Sequence, residues 1–252
     1  MEPKEHRELY RLEDDYWWFK AKRRMALSVV NRLKKKQHSR VCLLDVGCGT
    51  GAILEAVEKF TYSVGMEKYP EALKFCRQRK ISRLVNAATE DLPFKKGSFD
   101  IVLAMDVLEH LDSHSKVLDE LSRVSKEGAS LIVHVPAFMF FWSDHDLTVG
   151  HKRRYSAKML IELLEKHNFK VKFINYRLFS FFILGVVRKY YIMIRKMLTC
   201  DKSVKSHRPP APGMINAILY NIIRVEDFIS GFVRLPFGLS ILCIAEAKPD
   251  KK

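Results

Sequence analysis

A doubly wound, mostly parallel α/β sheet is the fold this chain predicts, and three observations predict it. Short apolar runs alternate with stretches of helical period, the order that gives parallel strands joined by right-handed crossovers. The first apolar run, in VCLLDVGCGTG (41–51), breaks into glycines at alternate positions, Gly47, Gly49 and Gly51. A helical pattern follows at once (Ile53, Leu54, Ala56, Val57, Phe60), so the chain reads strand, glycine turn, helix. That unit marks a nucleotide-type ligand site at the head of such a sheet.

Each element has its own signal. A buried parallel strand is a continuous apolar run, which places strands at 41–46, 62–67, 81–86, 100–105, 130–136 and 169–176. Helices are expected at 51–60, 69–79, 113–125 and 156–167, where apolar residues recur every three to four positions. GLSILCIAEAK (238–248) reads as a last strand.

The ligand is narrowed by the residues around the turn. No Gly-Lys-Ser/Thr follows it, which excludes a P-loop. Gly47-x-Gly49-x-x-Ala52 fits a dinucleotide fingerprint loosely, with Glu67 near the distance of a ribose-binding acid. Asp45, however, stands inside the turn, where a carboxylate suits a cationic ligand better than a pyrophosphate. Glu90-Asp91 follows the third strand, in ATEDLPF, and Met105-Asp106 ends the fourth, in SFDIVLAMDVLEHL.

DVGCGTG, Glu67 in VGMEK, EDLPF and SFDIVLAMDVLEHL together resemble the class I S-adenosylmethionine-dependent methyltransferase family, of the methyltransferase 11/23 type, in order and spacing over about residues 41–177. The resemblance implies a seven-stranded sheet ending in a hairpin of strands six and seven, and S-adenosylmethionine as cofactor. It implies that Asp45 and the turn Gly47, Cys48, Gly49, Thr50 and Gly51 hold the amino-acid end of the cofactor. Glu67, with Lys68 beside it, would bind the ribose hydroxyls. Glu90, Asp91 and Leu92 would flank the adenine, and Met105, Asp106 and Val107 would line the methyl-donor pocket.

Composition sets the surroundings. With 252 residues and 48% hydrophobic content, one large domain can bury an ample core. Five scattered cysteines without a CxxC pair argue for reduced thiols in a cytosolic setting, not a disulfide frame or zinc site. The first fifteen residues have no apolar core and do not read as a signal peptide. Of the net charge of +15, residues 1–40 and 178–236 hold +6 each, so the basic surface lies outside the motif-bearing body. Such asymmetry points to an anionic partner, a membrane surface or a nucleic acid. The chain therefore divides into an N-terminal cap (1–40), a core (41–177 plus 237–252) and an insertion (178–236).

The insertion begins LFSFFILGVVRKYYIMIRKML (178–198), of membrane-spanning length but interrupted by four cations. On a helical wheel Arg188, Lys189, Arg195 and Lys196 gather on one face, opposite Val187, Tyr190, Tyr191, Ile194, Met197 and Leu198. That is the pattern of a helix lying in a membrane interface. A Pro-rich turn (202–213) and a second apolar helix (214–233) follow. The competing account packs the two helices on each other and on the core as a substrate lid. In the cap, YWWFKAKRR puts Tyr16, Trp17, Trp18 and Phe19 in one run that must bury against something; Trp18 and Arg24 are candidates to touch the acceptor.

For chemistry, methyl transfer mainly needs donor and acceptor held in line. An oxygen acceptor gains from a base such as histidine. His110 lies at the carboxyl edge after strand four. His145 and His151 lie in the loop after strand five, with Arg154 and Tyr155 as acceptor-binding candidates. The spacing of His145 and His151, with Asp146 beside them, could suggest a metal, but no further ligand stands out nearby, so no metal is expected. The resulting reading is a methyltransferase acting on a small-molecule or lipid-linked acceptor, with an oxygen nucleophile favoured, at an anionic membrane surface on the cytoplasmic side. The alternatives are an RNA methyltransferase using the basic segments, disfavoured because RNA needs no greasy opposite face, and a cofactor-binding assembly factor without activity.

Overall fold

The computed structural model describes residues 3–35, 40–198 and 213–249. Seven strands form one sheet in the order β3-β2-β1-β4-β5-β7-β6. They are β1 (Cys42–Val46), β2 (Tyr62–Glu67), β3 (Leu84–Asn86), β4 (Phe99–Met105), β5 (Ser125–Pro136), β6 (Phe169–Arg177) and β7 (Ser240–Ala247). β1 to β5 run parallel, while β7 pairs antiparallel with both β5 and β6. The strand order reverses between β1 and β4, so their carboxyl ends open the crevice in which such sheets bind ligands.

Successive residues of each strand face opposite layers. Leu44, Val102, Val133 and Cys243 join the core beneath α5 (Ser115–Val124) and α7 (Ala157–Lys166). Leu43, Ile101, Leu103, Ile132 and Leu242 join the other core, under α3 (Ala52–Val57) and α4 (Pro70–Gln78). Met25, Ala26, Val29 and Val30 of α2 (Trp17–Lys34) are buried in this second core, so the back half of α2 is a layer of the domain. α1 (Pro3–Asp15) lies against α2, α3 and α4.

Most element bounds follow the sequence; the helices expected at 51–60 and 214–233 end early, at Val57 and Ile229, and two strands differ. β5 starts at Ser125, ahead of the expected 130, because the chain leaves α5 directly into a pairing of Ser125 with Phe99 before a register shift. β3 is confined to 84–86, since residues 81–83 lead into it outside the ladder.

After β6 a short 3₁₀ turn leads to α8 (Phe182–Leu198); α9 (Gly213–Ile229) precedes β7. α9 packs along α2, and α8 rests on the segment around Phe141 and Trp142. The side chains of Lys196, Met197 and Leu198 and the Pro-rich segment up to 212 lie outside the described residues. Lys189 departs from the wheel: its Nζ donates to the Trp142 carbonyl at 2.6 Å, so it belongs to the inward side of α8. Among the described residues no helix is long and apolar enough to cross a membrane.

Candidate active site

The turn after β1 is shaped by its glycines. Gly47, Gly49 and Gly51 have φ of +68°, +55° and +91°, the left-handed region that glycine enters without strain. At Gly47 there is also no room: a Cβ would stand 2.9 Å from Val107 Cγ2. Gly47 and Cys48 donate their N–H groups to the Met66 carbonyl, which ties the turn to the end of β2. Glu67, the last residue of β2, accepts from the Gly49 N–H at 3.1 Å and from the Tyr69 N–H at 3.0 Å.

Three carboxylates converge on this turn. Asp45 is 2% exposed. Burial pushes its carboxyl up to about 7; Lys22 opposes the shift, and Glu13 and Glu67 add to it. Glu13 comes from α1 and accepts from the Thr50 hydroxyl; burial raises it above the ordinary carboxylate range. Arg79 holds the assembly, donating to the Thr50 carbonyl (3.1 Å), Asp14 (2.9 Å), Glu55 (3.0 Å) and Glu13 (3.3 Å). Its guanidinium also lies 4.6 Å from the centre of the Tyr10 ring. α1 thus lies across the glycine turn, with Leu9 near Gly49.

A second network begins at the end of β4. Asp106 has φ +60°, a backbone that aspartate tolerates better than most residues. Lys22 Nζ donates to its Oδ2 at 2.7 Å, and His134 Nδ1 lies 2.5 Å from its Oδ1. His134 Nε2 is 3.0 Å from Ser240 Oγ, and the Trp18 ring packs 5.7 Å from the imidazole. Burial works against the Asp106 charge, but Lys22 and His134 outweigh it and hold the carboxyl far below its usual range.

A third group joins the 3₁₀ turn Leu108–His110 to the loop after β5. His110 Nδ1 is 3.1 Å from the Gly150 carbonyl, and the Lys152 N–H donates to the Glu109 carbonyl at 2.8 Å. The His110 and His151 rings meet edge to face at 4.9 Å. His151 Nδ1 is 2.8 Å from Asp146 Oδ1, while its Nε2 lies 3.9 Å from Glu109 Oε1. Glu109 is 0% exposed, and neither of its carboxylate oxygens has a hydrogen-bond partner. Burial, then Asp106, raises its carboxyl well above the ordinary value. Burial and His151 lower His110.

Of the residues expected from sequence, the structure gathers Asp45, Gly47, Gly49, Thr50 and Gly51 with Glu67 at one sheet edge, and sets Met105, Asp106 and Val107 beside them. Met105 and Val107 are buried, and Cys48 packs in the core behind the turn. Lys68 is exposed and extends over the Tyr69 ring. Glu90 and Asp91 are exposed; Leu92 is buried, its N–H donating to Glu120 and its carbonyl accepting from Arg123.

The acceptor-binding candidates fare differently. Tyr155 is buried in the core with its hydroxyl 2.6 Å from His114 Nε2, so it packs the sheet and does not face a ligand. Arg154 clamps Asp146 through Nε (2.8 Å) and Nη2 (3.0 Å), a fork-to-carboxylate pair that fixes the loop, and Nη1 reaches the Ala137 carbonyl (3.3 Å). Arg24 points away from the turn toward α9, 3.9 Å from Asp227. Trp18 does border the Asp106 network. His145 stands on the short helix α6 (Asp144–Thr148), outside the histidine pair.

Sequence reasoning missed Glu13, Lys22, Glu109, His134 and Arg79. Lys22 and Glu13 lie in a charged helical segment whose inward face no periodicity marks, and His134 looks like a polar interruption of a core strand. A third metal-ligand candidate, absent from the spacing of His145 and His151, is supplied here by Glu109 and His110 from another loop.

The turn suits a ligand that carries a cationic group. Asp45 is a buried acid whose nearest opposing cation, Lys22, is already paired with Asp106, and a Cβ at Gly47 would close the cradle. A family model described as a methyltransferase domain matches residues 44–133. An uncharacterized protein of Methanocaldococcus jannaschii is 30% identical over 141 residues, 50% of this chain and 63% of that protein. A protein of Mycolicibacterium smegmatis named as a probable S-adenosylmethionine-dependent methyltransferase is 27% identical over 164 residues, 64% of this chain and 62% of that one. The chain thus spans less than two thirds of the length of either relative. The solved structure of an S-adenosylmethionine-dependent methyltransferase from Thermotoga maritima superposes with a TM-score of 0.57 at 18% identity, covering 97% of this chain and 96% of that one.

Proposed function

We propose that this chain, whose residues 44–133 match a methyltransferase domain, is a class I S-adenosylmethionine-dependent methyltransferase that transfers a methyl group to an oxygen of an amphipathic or lipid-linked acceptor at a membrane surface. When bound, S-adenosylmethionine supplies an electrophilic methyl carried on a sulfonium. The observation that carries methyl transfer is the buried Asp45 at the glycine turn, on the ligand-binding edge of a 3-2-1-4-5-7-6 sheet. Asp45 would hold the ammonium end of the cofactor and Glu67 its ribose hydroxyls, while Leu92 walls the base. Met105, Asp106 and Val107 would fix the reacting end, with the Lys22–Asp106–His134 chain keeping Asp106 ionised and rigid. Holding donor and acceptor in near-attack geometry supplies roughly 7–11 kcal/mol.

The membrane reading rests on the insertion. A helix on a water-soluble surface normally turns its apolar side inward. α9 buries Ile223 against Ala21 and Leu178, but it also turns polar groups inward: Asn216, Glu226, Asp227 and, just past its end, Ser230 face the domain. Asn216 accepts from the Trp17 N–H, Glu226 from the N–H groups of Phe179 and Ser180, and Ser230 from Arg177. Met214, Ile218, Val225, Phe228 and Phe232 face outward, Phe232 at 78% exposure. On α8, Ile183, Leu184, Val187, Tyr191 and Ile194 are likewise exposed. An apolar groove of about 630 Å³ opens between Phe179, Ile218, Ile222 and Leu235. An apolar surface of this extent, with Arg188 and Arg195 also exposed on α8, suits a lipid interface.

Co-sedimentation with liposomes tests the membrane half, and binding of labelled S-adenosylmethionine tests the other. Salt-sensitive binding to anionic vesicles is expected. Absence of vesicle binding at every salt concentration removes the lipid acceptor while leaving the cofactor site standing.

A further inference from the structure

We propose that Glu109, His110 and His151 form a binding site for one divalent transition-metal ion of the zinc class. Each residue offers one ligand atom, and the three atoms lie within 4.8 Å of one another. Two imidazoles and a carboxylate are a donor set that suits zinc, cobalt and iron, and three protein ligands leave a coordination position open, as catalytic metal sites do.

Two independent features single this trio out from a chance cluster. The first is the state of the histidines. A backbone carbonyl only accepts, so the 3.1 Å contact of His110 Nδ1 with the Gly150 oxygen requires a proton on Nδ1 and leaves Nε2 with its lone pair. Asp146 is held by Arg154 and by the Ser143 N–H and acts as an acceptor, so His151 Nδ1, 2.8 Å away, also carries its proton. Both rings are therefore fixed in the tautomer that presents Nε2 to a metal. A carboxylate on the far nitrogen of one ring and a carbonyl on that of the other is the outer arrangement that metal-ligating histidines use.

The second is Glu109. It is wholly buried, and both oxygens lack any hydrogen-bond partner. A buried carboxyl in that condition costs stability unless something supplies the missing interaction. Its Oε1 is 3.9 Å from His151 Nε2. Metal–nitrogen and metal–oxygen bonds of about 2.0–2.2 Å would bridge that separation with little movement. The ligands are held from two sides, by the 3₁₀ turn after β4 and the loop after β5, laced together by the Lys152–Glu109 backbone bond.

The test is titration of the full-length protein, stripped with EDTA, with Zn²⁺ by calorimetry and with Co²⁺ by its visible absorption. One equivalent per chain is expected, with the intense bands of a four- or five-coordinate cobalt site. His110→Ala, His151→Ala and Glu109→Gln should each weaken uptake more than about tenfold, while His167→Ala, remote from the trio, binds as the parent. Melting curves in EDTA establish that each variant is folded; Glu109→Gln keeps shape and volume and serves if an alanine variant fails. No stoichiometric uptake by the parent overturns the site, and so does unchanged affinity in the folded Glu109→Gln and histidine variants.

Discussion

Asp45 is the residue whose chemistry is most exposed to experiment. Its carboxyl is lifted from 3.8 to about 7 in the folded chain, chiefly by burial. A raised folded-state value means that the fold prefers the protonated acid. The associated stability is full below about pH 4 and fades as pH rises through about 7. At about 1.4 kcal/mol per unit, the change is on the order of 4 kcal/mol. Urea titrations should show the cofactor-free protein weakening from pH 5 to pH 8, and Asp45→Asn should flatten that decline. The same variant should lose at least about a hundredfold in S-adenosylmethionine affinity, since a buried charge–charge contact is worth several kcal/mol when one partner is removed. A cation-bearing ligand should protect the parent more at pH 8 than at pH 6. Gly47→Ala meets Val107 and a positive φ together. It should cost about 1–2 kcal/mol and weaken cofactor binding, read by denaturation and calorimetry.

Among the elements, α1 and the insertion helices differ in how far the sequence disclosed them. Strands with near-continuous apolar runs were legible nearly to the residue, β4 expected at 100–105 and found at Phe99–Met105, because burial on both faces leaves no other pattern. The glycine turn and its acids were legible because backbone geometry restricts them to few residue types. What stayed hidden was contact between distant segments. Nothing local joins Glu13 to Thr50, Lys22 to Asp106, or Glu109 to His151, and nothing local shows that Tyr155, an acceptor-binding candidate by sequence, is buried and bridged to Ala137 just after β5. Arg79 is the hinge pin of α1, with a side chain 5% exposed among Asp14, Glu55 and Glu13. Arg79→Met leaves Glu13 buried without its cation and should destabilise by about 3–5 kcal/mol, with the first helix exchanging its amide hydrogens earliest. α8 and α9 were legible as apolar helices, but periodicity did not say which side faces the domain: Asn216 and Glu226 turn inward beside Ile223 on α9, and Lys189, which the wheel placed with the other cations, turns inward on α8.

For the molecule as a whole, the apolar sides of α8 and α9 lie outward on the element joined to the sheet's β6–β7 end. Replacing Val187, Tyr191, Ile194, Phe228 and Phe232 by serine touches little of the core, so the melting temperature should move only slightly. Vesicle binding should be abolished, and affinity for soluble S-adenosylmethionine should stay as in the parent. Equal loss of cofactor binding would mean that the helices belong to the domain's own packing. The α1 clasp over the glycine turn has a consequence in time. Glu13 and Asp14 grip Thr50 and Arg79 across the site where the donor would arrive, so on the proposed function exchange of spent cofactor for fresh would wait on the clasp releasing. A preloaded enzyme mixed rapidly with acceptor should complete one round quickly and then settle to a slower pace, and the Arg79→Met variant should narrow the gap between the two rates.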